Sequence, residues 1–301
     1  MIKIAWNTAY CHLLTEHHRF PMEKYNLLPQ QLIYEGTINP NQLFSPHVVE
    51  DENILNCHHY HYLHKLNSLT LTPSEIRKIG FPLSKELVVR EKIIVQGTID
   101  AALFALNYKI SFNIAGGTHH AFSDRGEGFC LLNDMAIAAC YLLKKNLASK
   151  ILIIDLDVHQ GNGTASIFKN KTEVFTFSMH GKKNYPLFKE NSDLDIALED
   201  GTDDDTYINL LDIQLEYLFT SVQPDFVFYQ AGVDVLMNDK LGRLALTLNG
   251  CKRRDSLVFK YCHERNIPIV ITMGGGYSQN IKTIIEAHAN TYRIARDFYN
   301  Y

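Results

Sequence analysis

The sequence lacks the features that mark a membrane protein or a nucleic-acid-binding protein. No apolar run approaches the roughly 20 residues that a helix needs to span a bilayer. No block of about five or six like charges occurs, and 29 Lys and Arg against 33 Asp and Glu leave the 301 residues a net charge of -4. A charge so small and so dispersed offers no electrostatic footprint for DNA or for an anionic membrane. We therefore expect no direct binding to nucleic acid and no membrane association.

The chain also lacks a secretory signal, a cysteine framework and an internal linker. The start, MIKIAWNTAY, has no basic region followed by an apolar core and a cleavage site, so we expect a cytoplasmic protein. The six cysteines form no CxxC pair, which indicates reduced and mostly buried thiols. No Gly-, Pro- or Ser-rich stretch divides the chain, and we expect residues 1–301 to form a single domain. Nothing in the sequence specifies an oligomeric state.

Short apolar, β-branched runs alternate with helical patterns along the chain. The runs are KIAW near the start and residues 111–117, 150–157, 173–180, 225–232 and 267–276. Their continuous apolarity is typical of strands buried on both faces of a parallel sheet. The alternation predicts a doubly wound, three-layer α/β/α fold with a mostly parallel central sheet. The polar segment from about 181 to 206 has no helical period, and we expect a long surface loop there.

Polar residues interrupt four of these runs at their carboxyl ends, in GGTHH, DLDVHQGNG, QAGVD and GGGY. Ligands of open α/β sheets bind at this edge. If the second motif stays extended, Asp155, Asp157 and His159 share one face, because strand side chains repeat every two residues. Two carboxylates and an imidazole suit a divalent metal such as zinc with one position open. Asp234 in QAGVD is the natural further ligand from a separate strand end.

Each motif alone has a plain structural alternative. DLDVH is equally consistent with a strand followed by a solvated turn, in which Asp157 caps the next helix. His119 and His120, as adjacent histidines in a loop, are by themselves more consistent with surface residues. The convergence of four segments on one edge of the sheet favours a shared site over both alternatives.

Taken together, the motifs resemble those of the zinc-dependent histone deacetylase family. GGTHHAFSDRGEGFCLLND, IDLDVHQGNGTASIF, VFTFSMH, YQAGVDVL and GGGY occur in the family's order and spacing, strongly over residues 110–280 and more weakly before them. HRFPMEKY at 18–25 is similar to the N-terminal motif of bacterial deacetylase-like proteins and of the class IV branch. The resemblance implies the arginase/deacetylase fold.

The resemblance also implies a catalytic metal, zinc or alternatively iron(II), bound by Asp157, His159 and Asp234. His120 would then be the main general base and acid. Asn162 would face His120 at a position where some branches of the family carry aspartate. A neutral amide orients the imidazole without raising its pKa as a carboxylate would.

Further side chains would support this centre. Asp155 would orient His119, and Tyr277 would donate its hydroxyl to the substrate carbonyl and to the oxyanion formed from it. A structural potassium ion would be bound by side-chain or backbone oxygens of Asp155, Asp157, His159, Ser178 and Met179. The tunnel for the acyl-lysine would be formed by Gly128, Phe129, Tyr185 and Gly275.

The implied activity is hydrolytic removal of an acetyl or long-chain fatty acyl group from Nε-acyl-lysine in a protein or peptide. One alternative is deacetylation of acetylpolyamines or other small acetylated amines, which needs a narrow, acid-lined entrance. Another is a catalytically silent metal-binding scaffold, although such a protein need not keep Tyr277 and both histidines. An arginase-like manganese hydrolase is less consistent with a single set of three ligands.

One feature of the family pattern has no clear counterpart here. Relatives use an acidic residue to grip the substrate backbone, and residues 70–95 offer no clear match. Arg19 is a candidate to line an exit for acetate, with a structural salt bridge as its alternative. The missing acidic residue concerns recognition of a peptide more than catalysis.

Overall fold

The computed structural model describes residues 2–16 and 18–300, in which eight strands form one sheet. The strands are β1 (Lys3–Ala5), β2 (Leu43–Phe44), β3 (Ile110–Asn113), β4 (Ile151–Asp155), β5 (Val174–Gly181), β6 (Leu194–Leu198), β7 (Phe226–Gln230) and β8 (Ile269–Thr272). Their order across the sheet is β2-β1-β3-β8-β7-β4-β5-β6, and every neighbouring pair is parallel. The prediction of a mostly parallel sheet is confirmed.

Ten α-helices connect the strands in the described part of the chain. They are α1 (Lys24–Tyr34), α2 (Asp51–Ile54), α3 (Tyr60–Asn67), α4 (Pro73–Ile79), α5 (Lys85–Tyr108), α6 (Asp134–Lys144), α7 (Asn162–Phe168), α8 (Asp204–Ser221), α9 (Leu248–Glu264) and α10 (Ile281–Tyr299). Within residues 2–16 and 18–300, no helix has the length and apolarity needed to cross a membrane.

The helices cover both faces of the sheet. Strands β3, β4, β7 and β8 are buried at every residue, as strands between two helical layers must be. In β3 the side chains alternate between the layers: Phe112 stacks on Tyr292 of α10 with ring centroids 4.2 Å apart, whereas the Asn113 amide donates to the Ile94 carbonyl of α5. The result is the predicted three-layer α/β/α architecture.

One local prediction was wrong. The segment from 181 to 206 is not a continuous loop, because β6 lies within it and pairs in parallel with β5. This strand forms the edge of the sheet, and only Leu198 of its five residues is buried. Because most residues of this edge strand are not buried, it needs no continuous apolar run. Its sequence therefore lacks the apolar pattern that identified the other strands.

The sheet order brings the four motifs together. They follow β3, β4, β7 and β8, which are consecutive in the sheet in the order β3-β8-β7-β4. Because all strands are parallel, their carboxyl ends lie along the same edge. The four polar segments therefore leave neighbouring strand ends and converge above them.

Candidate active site

A buried cluster of two carboxylates and one imidazole lies above the ends of β4 and β7. One ligand atom from each of Asp157, His159 and Asp234 lies within 4.8 Å of the others, and all three residues are buried. His159 Nδ1 is 3.0 Å from Asp157 Oδ1 and 3.0 Å from Asp234 Oδ2. Among the described residues this is the one such group of three or more His, Cys, Asp or Glu side chains. Its O, N and O donors fit a divalent metal ion with further positions open.

Backbone amides fix both carboxylates of the cluster. The Gly275 amide donates to Asp157 Oδ2 over 2.8 Å, and the Val158 amide donates to Asp234 Oδ1 over 2.9 Å. A Cβ at Gly275 would lie 1.9 Å from Asp234 Oδ2, so only glycine fits there. These contacts leave the other oxygen of each carboxylate directed at His159 Nδ1.

The two buried carboxylates of the cluster, Asp157 and Asp234, favour binding of a positive charge. Burial lowers the pKa of His159, but hydrogen bonds to Asp157 and Asp234 outweigh it and raise the pKa to about 10. Burial and the charge of Asp157 raise the pKa of Asp234 to about 7. A metal ion would take the place of these protons, since ligands must be deprotonated to bind it.

The adjacent histidines His119 and His120 are buried and have different partners. His119 Nδ1 lies 2.7 Å from Asp155 Oδ2, and His120 Nδ1 lies 2.7 Å from Asn162 Oδ1. An amide oxygen can only accept, so His120 donates through Nδ1 and keeps the lone pair on Nε2.

The two imidazoles also differ in pKa. For His119, burial is outweighed by the charge of Asp155, and the pKa is raised. For His120, burial together with the charges of His119 and His159 holds the pKa well below its usual range. At neutral pH, His120 is therefore neutral and can accept a proton at Nε2.

Tyr277 follows β8 and lies beside His159 of the cluster. Its ring centroid is 6.2 Å from that of His159, and burial with the charges of Asp234 and Asp157 raises the pKa of its phenol well above the usual range. The phenol therefore stays protonated and can act as a hydrogen-bond donor. Its backbone amide donates to Asp239 Oδ2 over 2.6 Å, which ties the position of Tyr277 to the loop after β7.

Comparison with known proteins identifies the family. The sequence profile of the histone deacetylase domain matches residues 18–292. The chain belongs to the histone deacetylase family. Histone deacetylase 2 of Arabidopsis thaliana is 31% identical over 281 residues, which cover 89% of this chain and 72% of that protein. An uncharacterized protein of Picosynechococcus sp. is 44% identical over 296 residues, which cover 98% of this chain and 99% of that protein.

The fold of this deacetylase is that of the arginase/deacetylase superfamily. A crystal structure of an HDAC homolog complexed with SAHA superposes with a TM-score of 0.86, at 22% identity, over 99% of this chain and 84% of that one. The family is generally metal-dependent and acts on acetylated amines or acetylated lysine. The protein is accordingly a hydrolase of the deacetylase type.

A cavity of about 350 Å³ leads from the surface of the deacetylase to the cluster. His120, His159 and Tyr277 lie among its lining residues, together with Phe129 and Tyr185. The Tyr185 ring centroid is 4.9 Å from that of His120, and the Phe129 centroid is 6.1 Å from that of Tyr277. The Tyr185 ring thus lies beside His120, and the Phe129 ring lies near Tyr277.

Gly128, a predicted tunnel residue, has little room for a side chain. Its φ is +53°, and a Cβ there would lie 2.7 Å from His120 Cδ2 and 3.3 Å from the Tyr185 ring. The Gly128 amide donates to the Lys78 carbonyl over 3.0 Å, which holds the segment against α4. Gly275, the fourth predicted tunnel residue, lies deeper and contacts the two carboxylates described above.

The residues of the predicted potassium site lie on β4, on β5 and in the loop after β4. Asp155 is the register partner of Ser178 across β4 and β5, and Met179 follows in β5. The Asp155 carboxylate also accepts from the Asp157 amide over 3.2 Å. The Ser178 hydroxyl lies 2.9 Å from His180 Nδ1.

The structure corrects three local expectations. β4 ends at Asp155, so Asp157 and His159 meet through the loop that follows rather than along an extended strand. Asp157 does not cap the next helix, because α7 begins at Asn162 with Gly161 as its N-cap. Arg19 is exposed and lines the mouth of the cavity; it forms no ion pair within the described residues.

Lys24 is the buried residue near the site that sequence reasoning missed. Its ammonium donates to the Gly274 carbonyl over 2.8 Å, and burial lowers its pKa to about 8 despite the charges of Asp234 and Asp157. The motif HRFPMEKY contains this lysine, but nothing local distinguishes it from an exposed residue of α1. Only its contact with a loop 250 residues away does so.

Proposed function

We propose that the protein is a zinc-dependent lysine deacylase, with iron(II) as the alternative metal ion. The observation that carries this proposal is the convergence of three groups at the floor of one cavity. These groups are the Asp157, His159 and Asp234 cluster, the neutral His120 and the protonated Tyr277. Together they match the needs of amide hydrolysis: activation of water, proton transfer and stabilisation of an oxyanion.

Each side chain has a distinct part in this reaction. When bound, the ion would supply the Lewis acidity that activates water and polarises the acyl carbonyl. His120 takes the proton of the attacking water at Nε2 and later delivers it to the leaving amine. The Tyr277 hydroxyl donates to the oxyanion that forms from the carbonyl. The Asp155 carboxylate lies 2.7 Å from His119 Nδ1 and fixes the orientation of the His119 ring.

Two features support a short acyl group on lysine over the alternatives. A second cavity of about 30 Å³ adjoins the site and is lined by His119, Phe129 and Tyr277, so it has room for only a few water-sized groups. This volume suits an acetyl group better than a long fatty acyl chain. The cations at the mouth, described below, disfavour a polyamine, which is itself a polycation.

We also propose a structural potassium ion and a single cytoplasmic domain. The oxygen donors of Asp155 and Ser178 on adjacent strands support the potassium site, since hard cations prefer oxygen ligands. The six free cysteines suit a reducing compartment. One continuous sheet across the described residues supports residues 1–301 as one catalytic domain.

The proposal is tested by turnover with metal-loaded protein. Peptides with acetyl-, octanoyl- or myristoyl-lysine and acetylpolyamines are presented separately, and we expect the acetyl-lysine peptide to have the highest kcat/KM. A preference for acetylpolyamines would assign the protein to the alternative enzyme class. No turnover of any substrate, with the metal bound, would identify a silent scaffold.

A further inference from the structure

The mouth of the active-site cavity is lined by cations. Five of its described lining residues are cationic and none is a carboxylate: Arg19, Arg77, Lys78, Lys183 and Arg243 are the cations. All five are exposed. They come from four separate segments of the chain: the segment before α1, the end of α4, the loop after β5 and the loop after β7.

Little of this charge is neutralised by neighbouring carboxylates. Lys183 and Arg243 share Asp200, at 3.6 Å and 3.3 Å, and the other three cations form no ion pair among the described residues. Glu127 lies beside the mouth but already accepts from Arg125 and from the Tyr185 hydroxyl. Five cations against Asp200 leave an excess of four positive charges.

This excess is opposite in sign to the charge of the whole chain, which is -4. The concentration of cations at one opening is therefore a property of that surface and not of the composition. Positive potential around a cleft raises the local concentration of anionic ligands and selects among them.

We infer that the preferred substrate carries its acyl-lysine within an acidic segment, with Asp or Glu residues on one or both sides of the lysine. The inference rests on the proposed lysine deacylase activity, because the acyl-lysine itself must reach the cavity floor. The flanking residues remain at the mouth, where their carboxylates meet the cations. The same surface takes over the gripping of the substrate that, in relatives, depends on an acidic residue without a clear match here.

The test compares three peptides of equal length around one acetyl-lysine, with flanks of Glu, Gln or Arg. An exposed ion pair is worth roughly 1.4- to 5-fold, so two contacts give roughly a 2- to 25-fold higher kcat/KM for the acidic peptide than for the neutral one at 50 mM salt. The gain lies in KM, because the flanks are remote from the reacting atoms. It falls to about 2-fold or less at 1 M salt, where the screening length is roughly 3 Å.

Charge reversal on the surface of α4 sharpens the test. The double variant Arg77→Glu, Lys78→Glu is expected to lose the preference for acidic flanks or to reverse it. Both side chains are exposed at the end of the helix, and the contact of this segment with Gly128 uses only the Lys78 backbone. The control is Lys260→Glu. Lys260 is exposed and lies about 18 Å along α9 from the first residue of that helix, so this variant is expected to keep the preference for acidic flanks.

The possible outcomes distinguish failure of this inference from failure of the proposed lysine deacylase activity. Equal kcat/KM for the three peptides would overturn the inference and leave the deacylase intact. No turnover of any peptide by metal-loaded protein would refute the deacylase and the inference with it. The exposed Leu187 and Phe188 lie in the same loop as Lys183. A third outcome would overturn the inference in favour of a membrane surface. In that case the protein sediments with phosphatidylserine vesicles, the double variant Arg77→Glu, Lys78→Glu does not, and the three peptides show equal kcat/KM.

Discussion

The contact between His120 and Asn162 predicts how the enzyme responds to pH. Both residues are buried, and the amide oxygen lies 2.7 Å from His120 Nδ1. Burial is the largest cause that lowers the pKa of His120, so this imidazole stays neutral below the usual histidine range. The acidic limb of kcat/KM that belongs to His120 is therefore expected below pH 6.5, the unperturbed value.

Asn162→Asp replaces the amide by a carboxylate of the same size at the same distance. A unit negative charge about 4 Å from the imidazolium centre stabilises it by about 4 kcal/mol at an effective dielectric constant of 20, which corresponds to about 3 pH units. Burial of the new carboxylate opposes part of this gain, so a rise of about 1–2 pH units remains. The sign follows from linkage: a raised pKa keeps the base protonated up to a higher pH, and kcat/KM at pH 6 falls.

The assay is the pH dependence of kcat/KM for metal-loaded protein with one acetyl-lysine peptide between pH 5 and 9. Asn238→Asp is the matched control, because Asn238 is exposed, accepts from the Ser278 hydroxyl through Oδ1 and does not contact His120. The acidic limb of kcat/KM for Asn238→Asp is expected at the same pH as that of the unsubstituted protein. An acidic limb in folded, metal-loaded Asn162→Asp that does not move would refute the assignment of His120 as the base that Asn162 tunes.

Three further predictions concern the metal and the oxyanion. Tyr277→Phe is expected to retain the metal and to lower kcat by about 10²–10³-fold, since it removes one donor to the oxyanion; unchanged kcat would exclude that role. Gly275→Ala places a Cβ 1.9 Å from Asp234 Oδ2 and is expected to weaken metal binding by more than about 10-fold in a competition titration; equal affinity would show that the backbone can yield. Zinc at about 100 times its Kd is expected to stabilise the protein by about 2.7 kcal/mol and to raise Tm by about 4 °C. Asp234→Asn should abolish that rise and the proton release that accompanies binding, and a rise that persists would place the metal elsewhere.

Local patterns were enough to predict the architecture and the candidate ligands. Strands buried on both faces must be apolar throughout, so β3, β4, β7 and β8 were visible as runs that end in polar residues. Asp157, His159 and Asp234 stand directly after two of those runs, and the structure brings them within 4.8 Å of one another. Their role as metal ligands stays a prediction until an ion is bound.

The prediction failed where the local pattern is weak. β6 lies at the edge of the sheet and only one of its five residues is buried, so it lacks the continuous apolar run that identified the central strands. Lys24 gives no signal either, because a lysine on a helix is ordinarily exposed and only packing against the Gly274 loop buries it.

The sequence by itself determined that this protein has a parallel α/β fold, which residues follow its strands and to which family it is similar, because periodicity and motif spacing are properties of neighbouring residues. Tertiary structure decided the order β3-β8-β7-β4, which makes separate motifs neighbours, and the pairing of His120 with Asn162. It also decided the charge of the cavity mouth, where Arg19, Arg77 and Arg243 come from segments far apart in the chain. Such features depend on which distant segments meet, and no local pattern encodes that.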